Sequence, residues 1–123
     1  MTCDLCAEKA AADWLATLDP ENDEPVLDVL TRDGELDETR AAEALAAAEL
    51  VASAAGEAPD DLPPAARAWV ERHGVPAEEL IERALRVVRQ VAIDEELKAA
   101  HDESWCDAVR DLRYRLGDLA APQ

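Results

Sequence analysis

The most apolar stretch of the sequence lies between Glu38 and Gly56, where nearly every residue is Ala, Leu or Val. Asp37 is placed to cap the N-terminus of a helix here, and Gly56 can end it in a left-handed conformation. A helix that is apolar on most sides has to be surrounded by protein. The pattern therefore predicts a central, buried helix over 38–55. Three polar residues interrupt its apolar run: Glu43, Glu49 and Ser53.

The periodicity of apolar residues predicts further helices on both sides of this central one. They cover about 4–18, a short segment that begins near Pro25, a segment from Pro63–Pro64 to His73–Gly74, a segment from Pro76 to about Ala92, and 104–116. The apolar phase shifts around 94–96, which predicts a break or kink there. No alternating β-branched run is present. The sequence thus predicts an all-α fold, a compact bundle of five to six helices around the central Ala-rich helix.

Local signals fix some details of these helices. Ser104 and Asp107 resemble a capping box at the start of the last helix, and Gly117 is expected as its C′ residue. Arginines near that C-terminus suit the helix dipole: Arg110, Arg113 and Arg115. Two i,i+4 ion pairs are expected on the helix after Pro76: Glu79 with Arg83, and Glu82 with Arg86. The three tryptophans occupy core-type positions: Trp14, Trp69 and Trp105.

The chain has 123 residues, which suits one domain over 1–123 with frayed tails at 1–3 and 118–123. Its formal net charge of −17 makes direct binding to nucleic acid or anionic lipid unfavourable, because each phosphate contact needs Lys or Arg. The charge favours a basic partner protein instead. No apolar run approaches a membrane span, and the sequence starts without a signal-peptide pattern, so a cytoplasmic protein is expected.

Acidic residues are densest in the first third of the chain. We call the group around the turn at 19–25 and the following short helix the acidic cluster, and we expect it to bind the partner. Its members are Asp19, Glu21, Asp23, Glu24, Asp28, Asp33 and Glu35.

Candidate chemistry is limited to the cysteines and histidines. Cys3 and Cys6 form a CxxC pair, which is half of a zinc site and would need two further ligands. Cys106, His101 and His73 are the candidates, although their spacing is not that of a zinc motif. A redox role for CxxC is associated with a βαβ setting, which the pattern does not predict. Cys106 is expected to be a packed small side chain, and His73 to cap the end of its helix.

Catalytic patterns are missing from the sequence. The two histidines stand in no triad or metal motif, and there is no Gly-rich phosphate loop. We therefore predict no catalytic residues, no metal ligands and no cofactor, and classify the chain as a non-enzyme.

Four stretches of the sequence resemble a known bacterial family. They are AADWLATLD at 11–19, AAEALAAAELVASAAG at 41–56, DLPPAARAWV at 61–70 and WCDAVRDLRYRL at 105–116. Together they are similar, in order and spacing, to the bacterial domain-of-unknown-function family 4259, from about Ala11 to Leu116. That family usually opens with a Gly- and Trp-containing segment followed by Asn and Asp, whereas this chain has TCDLC at 2–6. The resemblance implies a helical domain of bacterial origin and brings no activity with it.

Two hypotheses on function follow. The first is a small acidic, non-enzymatic protein-binding module that docks a basic partner, as an immunity protein or a nucleic-acid mimic does. The alternative is a metal-binding or thiol-based protein that uses Cys3 and Cys6. The net charge and the missing catalytic motifs favour the first.

Overall fold

The computed structural model describes residues 9–18, 24–31, 37–56, 64–74 and 76–120. Within these ranges the chain forms seven helices and no strand, which confirms the all-α prediction. The helices are α1 (Lys9–Ala16), α2 (Glu24–Thr31), α3 (Glu38–Ala54), α4 (Pro64–His73), α5 (Glu78–Ala92), α6 (Glu95–Ala100) and α7 (Glu103–Ala120). The predicted count of five to six helices is therefore too low.

Helix α3 lies at the centre, as its apolar pattern predicts. The Asp37 carboxylate accepts the backbone N–H of Arg40 at 2.7 Å, and Gly56 has a φ of 107° just beyond the helix. From Ala41 to Ala54 every residue is buried except Glu43, which is half-buried. Helices α1, α2, α4, α5 and α7 all pack against α3.

Helices α5 and α7 form the most extensive pair in the fold. Each contributes an apolar stripe to the shared core and leaves charged residues towards solvent, as expected of an amphipathic helix. The buried residues of this pair are Ile81, Ala84, Leu85, Val87, Val88 and Val91 on α5, and Trp105, Val109, Leu112 and Leu116 on α7. Trp14 and Trp69 are also buried, so the three tryptophans are core residues as predicted.

Helix α6 is the element that the sequence pattern showed only as a change of phase. The Asp94 carboxylate caps it by accepting the N–H of Leu97 at 3.1 Å. The Asp102 carboxylate then accepts the N–H of Trp105 at 2.9 Å, and α7 begins at Glu103. The prediction that Ser104 caps the last helix is therefore wrong, because α7 begins at Glu103, with Asp102 as its cap, and Ser104 already lies inside the helix.

The other end of α7 also differs from the prediction. The helix continues through Gly117 to Ala120, so Gly117 is an interior residue and not the C′ residue. Residues 118–120, expected in a frayed tail, are helical. Glycine can stay helical at a modest cost when the residues after it are compatible with a helix. Gly74 behaves as predicted, since its φ of 65° follows the end of α4.

Candidate functional site

Helix α2 carries the part of the acidic cluster that the structure describes. Its apolar side, formed by Val26, Val29 and Leu30, is buried against the core. Its other side exposes Glu24 and Asp28, one turn apart. The remaining members of the acidic cluster lie outside the described residues: Asp19, Glu21, Asp23, Asp33 and Glu35.

An apolar side chain lies beside the two carboxylate-bearing residues of α2. Leu27 is 37% exposed, and Pro25 beside it is half-buried. Glu24, Pro25, Leu27 and Asp28 together line a shallow depression on the surface. This face of α2 therefore presents exposed apolar surface next to negative charge, an arrangement that suits contact with another protein surface.

A buried ion pair connects α3 to α7. Both terminal nitrogens of the Arg115 guanidinium donate to the Glu49 carboxylate, at 3.0 Å and 2.8 Å. Only 3% of the Glu49 side chain and 19% of the Arg115 side chain are exposed. The Nε of Arg115 also donates to Asp111, one turn earlier on α7, at 2.9 Å. Each of the three guanidinium nitrogens thus donates to a carboxylate, which fixes α7 against the centre of the bundle.

The two partners respond differently to burial. Desolvation raises the pKa of Glu49, although the hydrogen bonds and charge of Arg115 lower it. For Arg115, desolvation lowers the pKa, but the hydrogen bonds and charges of Glu49 and Asp111 outweigh it and raise the pKa overall. The guanidinium therefore remains charged, and Glu49 depends on it for a partner. The pair is enclosed between helices, so its geometry suits a structural role.

Sequence reasoning missed this pair. It assigned Arg115 to the helix dipole, whereas the structure shows that Arg115 binds Glu49 on a helix 66 positions away in sequence. The available signal was Glu49 itself, a carboxylate inside an otherwise apolar helix. A buried carboxylate requires a partner.

Both histidines stack on tryptophans. The ring of His73 lies 4.3 Å from that of Trp69, and the ring of His101 lies 4.1 Å from that of Trp105. His73 is expected to cap α4; in the structure its Nε2 is buried and has no hydrogen-bond partner within the described residues. The described ranges contain no group of three or more His, Cys, Asp or Glu side chains that could hold a metal ion.

The cysteines fall into two groups. Cys3 and Cys6 lie outside the described residues. Cys106 is a free, half-buried thiol on α7 that packs against the hydrophobic core, as predicted.

None of the helices in the part of the chain that the structure describes is long and apolar enough to cross a membrane.

Comparison with known proteins gives one result. The family described as Domain of unknown function (DUF4259) matches residues 8–111. This chain belongs to that family. The DUF4259 match confirms the predicted resemblance and starts after Cys3 and Cys6, in keeping with the departure of the N-terminal segment from the family pattern. No curated protein and no solved structure matches the chain.

Proposed function

We propose that this member of DUF4259 is a small acidic, non-enzymatic protein-binding module that docks a basic partner protein. Its mode of action would be that of an immunity protein that neutralises its target, or of a protein that mimics nucleic acid. The observation that carries the proposal is the charge: 29 acidic residues against 12 basic ones, for a net charge of −17.

The location of the acidic side chains supports this proposal. Among the described residues, Glu49 is the one buried acid, and Arg115 neutralises it. The other described carboxylates reach solvent, at least in part. Their charge therefore acts outside the protein, where it attracts a positively charged surface and speeds its association.

The exposed face of α2 is the docking surface that we propose. Protein interfaces commonly combine apolar and polar contacts, and the exposed Leu27 lies beside Glu24 and Asp28. The other five members of the acidic cluster, Asp19, Glu21, Asp23, Asp33 and Glu35, flank α2 in sequence. We propose that they extend the same acidic rim.

The test captures partners on the immobilised protein and then measures association kinetics with the purified partner. Glu24→Gln with Asp28→Asn should lower the on-rate at least about threefold at low salt, because it weakens electrostatic steering. Added salt should reduce the on-rate of the wild type steeply, since the Debye length is about 8 Å at physiological ionic strength. The melting temperature should stay close to that of the wild type, because both side chains are exposed.

A matched control removes the same charge elsewhere. Glu71→Gln on α4 with Asp118→Asn on α7 replaces two exposed carboxylates that make no ion pair within the described residues. The control should change the on-rate less than the α2 variant. The proposal fails if no basic protein is captured, or if association ignores both salt and the α2 substitutions.

A further inference from the structure

A pocket of about 280 Å³ lies where the end of α5, helix α6 and the first half of α7 meet. Ile93, Trp105 and Val109 form much of its apolar wall. Lys98, Arg110 and Arg113 supply three cations to the same lining. Three cationic residues in one pocket lining stand out in a chain whose acids outnumber its bases by 29 to 12.

These cations are poorly neutralised by the protein itself. The side chains of Lys98 and Arg113 are exposed and make no hydrogen bond or ion pair with any residue that the structure describes. Arg110 makes one long contact, 3.5 Å from Asp107, with both side chains largely exposed. Contacts of this kind contribute little and exchange readily for a better partner. The pocket thus keeps unused positive charge at its rim.

The apolar wall has features that suit a ligand. Ile93 is 70% exposed, well above Leu27 at 37%, the other exposed large aliphatic side chain among the described residues. Trp105 is only 7% exposed, and its indole N–H has no acceptor within the described residues. One ring face of Trp105 is covered by His101, which fixes the orientation of the indole. The wall therefore combines a rigid aromatic ring with an accessible aliphatic side chain.

We propose that this pocket binds a small organic carboxylate with an apolar body. Lys98, Arg110 and Arg113 bind the carboxylate, and the guanidinium groups offer it paired N–H donors. Ile93, Trp105 and Val109 contact the apolar part. The volume lies just below the roughly 300–1,000 Å³ typical of sites for drug-sized ligands, so the ligand is a small molecule and not a macromolecular segment. This site is separate from the proposed docking surface on α2.

The test titrates the full chain with benzoate and, in parallel, with its neutral isostere benzamide, following ¹H–¹⁵N NMR spectra. Benzoate should produce saturable shifts at Ile93, the Trp105 indole, Cys106 and Val109, with a Kd of about 1 mM, the usual order for so small a ligand. Benzamide should bind at least about tenfold more weakly, because it lacks the charge. Higher salt should weaken benzoate binding.

A matched pair of variants separates the pocket from general electrostatics. Lys98→Gln with Arg113→Gln should weaken benzoate binding at least about tenfold. Arg86→Gln with Arg89→Gln removes the same charge from exposed α5 residues outside the pocket lining, and should change the Kd less than about twofold. Absence of saturable shifts up to about 20 mM benzoate, equal binding of benzamide, or equal losses in the two variants would overturn the proposal.

Discussion

Two ion pairs of this protein have the same shortest N–O distance, 2.8 Å, in opposite environments. Arg115 and Glu49 meet between α7 and α3, with 19% and 3% of their side chains exposed. Arg83 and Glu79 meet on the surface of α5, with 39% and 74% exposed. The sequence predicted the surface pair from its i,i+4 spacing and did not predict the buried one.

The comparison shows that distance alone does not measure what an ion pair does for the fold. On the surface, water solvates each partner when the other is removed. Between α3 and α7 only 3% of the Glu49 side chain is exposed, so without Arg115 it would keep a charge with little solvation or have to bind a proton. The buried pair therefore makes the fold depend on both of its members, although the pair as a whole need not be stabilising.

The largest effect on stability is expected when one member of the buried ion pair is replaced and the other is kept. Arg115→Met leaves Glu49 without its partner and should lower the free energy of unfolding by about 3–5 kcal/mol, measured by urea denaturation at pH 7. Arg113→Met, the same substitution at an exposed position of α7, should cost less than about 0.5 kcal/mol.

The double variant Glu49→Met/Arg115→Met sharpens this result. It replaces both charges by apolar side chains of similar length, and should recover most of the stability that Arg115→Met loses. If the double variant is as unstable as Arg115→Met, the loss comes from packing and not from an unpaired carboxylate.

A pH dependence of intermediate size should follow from the raised pKa of Glu49. Without Arg115 the hydrogen bonds that lower this pKa are gone, so the folded-state pKa lies further above the unfolded value. Between the two values the folded state binds more protons, and its stability falls as the pH rises. Arg115→Met should therefore regain up to about 1.4 kcal/mol per pH unit on acidification from pH 7 towards pH 5.

The reference for that pH series is the double variant Glu49→Met/Arg115→Met, which shares every other titrating group. The free energies of unfolding of the two variants should converge as the pH falls. A constant difference between them over the whole pH range would show that the pKa of Glu49 is the same in the folded and unfolded states.

The smallest effect is expected at the surface pair. Arg83→Gln removes the partner of Glu79 and should cost only a few tenths of a kcal/mol, with the difference shrinking in about 1 M salt. Arg86→Gln, three residues further along α5, should cost less still, because Arg86 makes no ion pair within the described residues. A loss above about 1 kcal/mol for Arg83→Gln would remove the contrast between the two environments.

The sequence predicted the position of α3 well because its ends are set by local chemistry. Asp37 and Gly56 act on residues within one turn, and their types alone indicate a cap and a left-handed residue. The predicted Glu82–Arg86 pair is not formed within the described residues, although its spacing equals that of Glu79 and Arg83. Spacing makes such a pair feasible, while side-chain rotamers and neighbours decide whether it forms.

Features that depend on tertiary structure could not be predicted in the same way. Arg110, Arg113 and Arg115 follow one another on α7, and only the rotation of α7 against α3 determines that Arg115 meets Glu49. The same rotation places Arg110 and Arg113 at the pocket beside Ile93 and Lys98. The start of α7 was missed for a local reason, since Asp102 and Ser104 are both good caps and propensity does not rank them sharply.

The alanines of α3 have a consequence for the thermodynamics of folding. Alanine has no side-chain rotamer to lose, so packing neighbours around α3 restricts few torsions in the central element itself. Leucine in the same places would lose roughly 0.5–1 kcal/mol of rotamer freedom per residue. The entropic cost of ordering side chains thus falls mainly on the surrounding helices, which contribute larger buried residues such as Trp69, Val88 and Leu112 to the core.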